Sequence, residues 1–303
     1  MLRKFLYKIW LKTSDREKYI NFKISESRKE RVLFYEKEIK HKIHNIHNAL
    51  LNNSTLNFVH SGHLGDIIYS LPLIKEVSKN HKCNLYIRPY KKNKVSYFKH
   101  PSGKYLLDER IIQMIIPLLN KQSFINKCEI YSNQKVEIDL DLFREIPMNL
   151  QYYSPRWFFH LTGLQVNLEE TYLDVDEHEK IKNKIIILRT FRARNFFINY
   201  KFLKDYDNLL FIGMQDEYED LKKQVPNLEF YNCKNFLEMA QIIKSCKFFI
   251  GNQGLGYALA EALKVPRLLE GNPDFPVIFP IGKKSFDFYH QIHFEKFFKK
   301  LNS

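Results

Sequence analysis

This 303-residue chain has little of what usually marks a site or a break: ten glycines, six alanines, two tryptophans and four cysteines. The cysteines, Cys83, Cys128, Cys233 and Cys246, form no CxxC pair, which argues against a disulfide framework and predicts a reducing, cytoplasmic location. No run approaches the roughly 18 apolar residues of a membrane span, and the N-terminus lacks the uninterrupted apolar stretch of a signal peptide. Repeats and low-complexity segments are missing, while 45% hydrophobic residues are too many for a disordered chain. Without HExxH, a Walker lysine or a G-x-S-x-G elbow, zinc hydrolases, ATPases and serine hydrolases have little support.

Positive charge is plentiful: 48 Lys+Arg against 34 Asp+Glu give a net +14. Residues 1–50 carry +7 and residues 283–303 carry +3, leaving +4 on the 232 residues between. A nucleic-acid binder would carry the surplus on its folded body, so nucleic acid is not the expected partner. The opening MLRKFLYKIWLK sets Leu2, Phe5, Leu6, Ile9 and Trp10 on one helical face, with Arg3, Lys4, Lys8 and Lys12 mostly outside it. Such a helix, residues 1–12, suits peripheral contact with an anionic membrane surface, where each cation adds about 1 kcal/mol. The alternatives are a helix that packs on the body or a frayed terminus in a Lys-rich chain.

Charged, helix-favouring sequence without Gly or Pro continues to Asn52, so residues 1–53 read as a basic helical arm. A strand at 56–60, a tight loop at 61–65 (SGHLG) and a helix at 66–80, kinked by Pro72, open the first domain. A strand at 83–87, a helix over 105–119, strand-like runs at 124–131 and 136–143 and a helix at 157–161 follow. Beyond the charged connection DVDEHEKIKNK, strands at 185–188, 209–213, 228–231, 247–250 and 267–269 are interleaved with helices at 217–223, 236–245 and 255–263. Alternation at this spacing implies parallel βαβ units in doubly wound sheets. The expected organisation is α/β, with domains at 54–180 and 181–282, a cleft between them and a basic helix at 283–303.

Six of the ten glycines fall at the proposed strand ends or in the loops that follow: Gly62, Gly65, Gly213, Gly251, Gly254 and Gly256. In FFIGNQGLGYALAEALKVPRLLE a strand feeds a Gly-rich turn and a helix, so backbone N–H groups around Asn252, Gln253, Gly254, Leu255 and Gly256 face outward beyond the sheet. That junction binds an anion, usually phosphate; alternatively, its glycines only let helix and sheet approach closely. Arg189, Arg192 and Arg194 end another strand and could clamp a diphosphate, or form a solvated basic loop. Glu270, ending the last strand, could accept from ribose hydroxyls or cap a loop. Asp139/Asp141 and Asp174/Asp176 imitate the DxD of metal-dependent transferases, but alternating Asp is common in strand-like sequence and no metal site is expected.

HSGHLGDIIYSLPLIKEV, residues 60–77, resembles the opening strand–loop–helix of the heptosyltransferase-like glycosyltransferases (glycosyltransferase family 9), and FIGNQGLGYALAEALKVPRLLE is similar to their donor-site strand and helix. The resemblance implies a GT-B-like architecture of two Rossmann-like domains, an acceptor-binding N-terminal half and a nucleotide-sugar-binding C-terminal half. It also implies metal-independent, inverting transfer without a cofactor to a glycan or lipid-linked acceptor, usually in surface polysaccharide synthesis. Asp66 takes the family's general-base position; its other reading is the N-cap of the following helix. His63 and Gly65 would border the acceptor, while the 252–256 turn, Gly213, Glu270 and the three arginines would serve the donor. Asn252 stands where the family carries Asp, which opens the donor sugar and leaves a non-catalytic nucleotide- or glycan-binding protein as the alternative.

Overall fold

The computed structural model describes residues 2–93, 102–148 and 152–303, with side chains from Phe5 onward. It opens with an arm of three helices: α1 (Leu2–Ser14), α2 (Arg16–Phe34) and α3 (Lys40–Asn52), the last two joined by a π-helical turn, Tyr35–Ile39. Asp15 caps α2, its carboxylate accepting the Lys18 N–H at 3.0 Å. α2 buries none of its residues, and the arm meets the body through Ile39 and Ile46.

The N-terminal domain has four parallel strands: β1 (Thr55–His60), β2 (Lys82–Ile87), β3 (Lys127–Ile130) and β4 (Ile138–Asp139), in the order β3-β2-β1-β4. Its helices are α4 (Leu64–Val77), α5 (Glu109–Asn120) and α6 (Pro155–Thr162). Leu56, Phe58 and Val59 of β1 are fully buried, as suits a central parallel strand covered on both faces. Asp108 caps α5 by accepting from the Ile111 N–H, and α6 stops at Gly163 in the left-handed conformation, φ 74°. The 136–143 run is not one strand. Asp139 accepts the Asp141 N–H at 2.9 Å, and the chain turns into a 3-10 segment, Leu140–Arg144, after two strand residues.

Six parallel strands form the C-terminal sheet: β5 (Ile185–Leu188), β6 (Leu209–Ile212), β7 (Glu229–Tyr231), β8 (Phe248–Asn252), β9 (Arg267–Glu270) and β10 (Ser285–Phe288). Their order, β10-β9-β8-β5-β6-β7, is the doubly wound Rossmann order, which reverses direction between β5 and β8. Helices α7 (Gln215–Lys222), α8 (Phe236–Lys244), α9 (Leu255–Leu263) and α10 (Gln291–Asn302) complete the domain. The expected separate basic helix at 283–303 is revised. Residues 285–288 pair with β9 as the sixth strand, and α10 drives Phe294 and Phe298 fully into the core beneath the sheet.

The two domains share one hydrophobic core, because α4 packs on α9 and α5 on α8. Among the described residues no helix is long and apolar enough to cross a membrane.

Candidate active site

In an open parallel sheet the two strands flanking the reversal send their following loops to opposite faces and leave a crevice at their carboxyl ends. The N-terminal sheet reverses between β1 and β4. β1 ends in His60 and the loop Ser61–His63, and β4 ends in Asp139 and the 3-10 turn. Asp66 lies within the first turn of α4, whose N-cap is His63 in extended conformation, so the N-cap reading of Asp66 does not hold. Instead Arg144 donates to Asp66 Oδ2 at 2.6 Å, and the same guanidinium donates to Asp141 Oδ1 and to the Gly62 carbonyl. Asp66 Oδ1 has no protein partner among the described residues, and the side chain is about one-fifth exposed.

Asp141 organises this crevice from within. It is 1% exposed and accepts from Ser61 Oγ and Arg144, with Lys91 at 3.2 Å and Arg88 at 3.7 Å. Burial alone would raise its carboxyl, but His60, Arg144 and the Ser61 hydroxyl outweigh it and hold the group below the ordinary carboxylate range. His60, wholly buried, accepts the Gly62 N–H on Nδ1 at 3.0 Å, and burial pushes its pKa down to about 4, so it stays neutral at pH 7. Arg144 has no signal of its own in the sequence, because it lies 78 residues from Asp66 and only the folded domain brings the two together. His63 accepts the Ile67 N–H on its backbone oxygen and so starts α4 beside Asp66.

The C-terminal sheet reverses between β5 and β8, and Asn252 ties those two strand ends together. Its Oδ1 accepts the Thr190 N–H at 2.8 Å while its Nδ2 donates to the Thr190 carbonyl at 2.8 Å. A carboxylate could not make the second bond, so the amide of Asn252 is used by the fold itself. Gly254 then caps α9, leaving the first-turn N–H groups of that helix without intrahelical acceptors. A methyl group on Gly251 would lie 2.6 Å from the Leu188 carbonyl, and one on Gly256 2.7 Å from Leu188 Cδ1, so both glycines serve packing. Gly213 is likewise packed, against Phe211 at 2.9 Å. On the half-buried Gly254 the methyl group would meet only Thr190 Cγ2, at an ordinary contact distance of 3.5 Å, so packing does not require glycine between Gln253 and Leu255.

The three arginines separate. Arg189 is buried and doubly bonded to Glu270, at 2.7 and 2.9 Å, and Glu270 also accepts from Tyr200 and from the Asn195 N–H. This corrects both expectations: with Glu270 wholly buried and Arg189 3% exposed, neither faces a ligand, and together they pin the 189–200 loop to β9. Arg194 donates to Asp220 through one terminal nitrogen and stacks on Phe191 at 4.3 Å; its Nε and other terminal nitrogen are buried and have no acceptors among the described residues. Arg192 is exposed and has no acidic partner among the described residues. Glu217, unremarked in the sequence, opens α7 beside this loop and accepts the Phe191 N–H at 3.1 Å; burial raises its carboxyl above the ordinary value.

The two crevices oppose each other. A methyl group on Gly65, one residue before Asp66, would touch the Gly254 backbone at 3.7 Å and Ala258 at 3.9 Å. A carboxylate with a free oxygen thus lies near the start of a helix suited to an anion. Among the described residues no group of three His, Cys, Asp or Glu is placed to hold a metal ion. Asp139 pairs with Arg88 and Asp176 with Lys121.

By sequence, no family model and no characterised protein matches this chain. By structure, it is similar to the E. coli heptosyltransferase WaaC with ADP, at 11% identity and a TM-score of 0.54 over 82% of this chain and 99% of that one. It is similar also to a glycosyl transferase of family 9 from Veillonella parvula, at 11% identity and 0.51 over 82% and 89%. The iron-containing dodecameric glycosyltransferase TibC of enterotoxigenic E. coli matches at 16% identity and 0.51 over 77% of this chain and 62% of that one. The fold is heptosyltransferase-like. The two parallel-sheet domains of this chain are GT-B-like.

Proposed function

We propose that this chain is a cytoplasmic glycosyltransferase that moves a sugar from a nucleotide-sugar donor to a glycan or lipid-linked acceptor, in surface polysaccharide synthesis of the lipopolysaccharide kind. The observation that carries the reading is the approach of Gly65 to Gly254, which sets Asp66 beside the start of α9. Asp66 Oδ1 would take the proton of an acceptor hydroxyl as that oxygen attacks the anomeric carbon. The bond from that carbon to the diphosphate breaks, and the nucleoside diphosphate leaves with the electron pair. A single in-line displacement inverts the anomeric centre. The N–H groups at Leu255 and Gly256, with the exposed Arg192, would meet the charge on the leaving group without a metal.

A thermal-shift panel of nucleoside diphosphates and their sugar conjugates tests this, starting with ADP because WaaC was solved with it. Stabilisation by at least one, and its release as free diphosphate when acceptor is added, is the expected result. No response to any of them would contradict the proposal. The substitution of the family's Asp by Asn252 favours one second reading, a nucleotide- or glycan-binding protein without turnover. Binding without release of diphosphate would support it.

A further inference from the structure

α1 has two apolar faces, and the fold uses only one. Leu11 is 1% exposed, and Tyr7, half-exposed and stacked on Trp10 at 5.9 Å, sets its ring edge-on against Phe22 of α2 at 5.5 Å, so Leu11 and Tyr7 close the α1–α2 hairpin. The other face carries Phe5, Leu6, Ile9 and Trp10, each between 48% and 59% exposed. Isolated exposed apolar residues are ordinary, but four large ones adjoining on one helix mark a contact surface. Among the described residues α1 packs chiefly on α2 rather than on the body, the alternative the sequence left open.

Charge selects the occupant. α1 contains no acidic residue, and Lys8, Lys12 and Arg16 are exposed without acidic partners among the described residues. A second copy of this chain would bring the same +7 arm and a body that is also net positive. We propose that the α1–α2 hairpin docks the protein on an anionic lipid bilayer, laying Phe5, Leu6, Ile9 and Trp10 into the headgroup boundary with the lysines among the phosphates. Because α2 buries no residue, the hairpin can present this face clear of the domains. The inference goes beyond the transferase reading and does not depend on it.

The full chain is tested by co-sedimentation with phosphatidylcholine vesicles with and without phosphatidylglycerol, in the absence of donor and acceptor. It should bind the phosphatidylglycerol vesicles and shift its tryptophan emission to the blue, a signal assignable to Trp10 because Trp157 is already buried. Phe5→Glu/Ile9→Glu should weaken binding about tenfold or more with the melting temperature unchanged, since both residues are exposed. Wild-type binding by that variant, or failure of the wild type to bind, would overturn the inference. So would a dimer in sedimentation velocity that the same substitutions dissolve, because a second copy would then cover the face.

Discussion

Asp66 has one carboxylate oxygen committed to Arg144 and the other available, which makes Arg144 a positioning residue for the proposed base. Arg144→Ala should lower kcat by about tenfold or more while leaving the donor KM nearly unchanged, with partial recovery on adding guanidine; an equal rise in donor KM would move Arg144 to the donor side. The neighbouring His60 makes a pH prediction. Its folded pKa of about 4 lies below the ordinary value near 6.5, so the unfolded chain takes up a proton first as pH falls. Stability is full above pH ~6.5 and declines toward pH ~4, by about 3 kcal/mol. Urea unfolding at both ends of that window should show the decline in the wild type and much less of it in His60→Asn. The glycines divide by what their missing side chains would meet. Gly251→Ala should cost about 2–3 kcal/mol, because the methyl group meets a backbone carbonyl at 2.6 Å. Gly254→Ala should stay within about 0.5 kcal/mol yet weaken nucleotide binding. Calorimetry with and without nucleotide separates the two. None of this was visible in the spacing of the glycines, which looks the same for packing and for binding.

At the level of elements, hydrophobic alternation located most strands and helices to within a residue or two, and the helix at 255–263 was placed at its observed bounds. Most of the failures share a cause, which is that local pattern does not report a distant partner. β10 is four residues with a charge in the middle, and only pairing with β9 makes it a strand. The 136–143 run is the local exception: the Asp139 carboxylate accepts the Asp141 N–H and ends the strand after two residues. Arg189 and Glu270 both end strands, as expected, but lie 81 residues apart and find each other only in the folded sheet. α10 follows from the same reasoning: it is cationic in sequence and structural in place, because its phenylalanines face inward while its lysines stay out. Phe294→Ala should cost about 3–5 kcal/mol, and removal of residues 283–303 should leave no folded protein by circular dichroism. A stable, folded truncation would show that the sixth strand and α10 are appendages after all.

Taken whole, the molecule sets two doubly wound sheets so that their reversal points meet, and joins them with one core through α4 and α9. Charge is distributed differently from chemistry. The surplus sits on the arm and the C-terminal segment, while the crevices balance acids against bases: Asp66, Asp139 and Asp141 with Arg88, Lys91 and Arg144 on one side, Asp220 and Glu217 with Arg194 on the other. The central claim is that these two crevices form a single transfer site with Asp66 as its base. It is tested most directly by measuring nucleoside diphosphate release from the best-binding sugar nucleotide, with acceptor, for the wild type and for Asp66→Asn. The account predicts release by the wild type and a loss of about 100-fold or more in the variant, with the same donor-induced rise in melting temperature in both. Wild-type turnover by Asp66→Asn would contradict it.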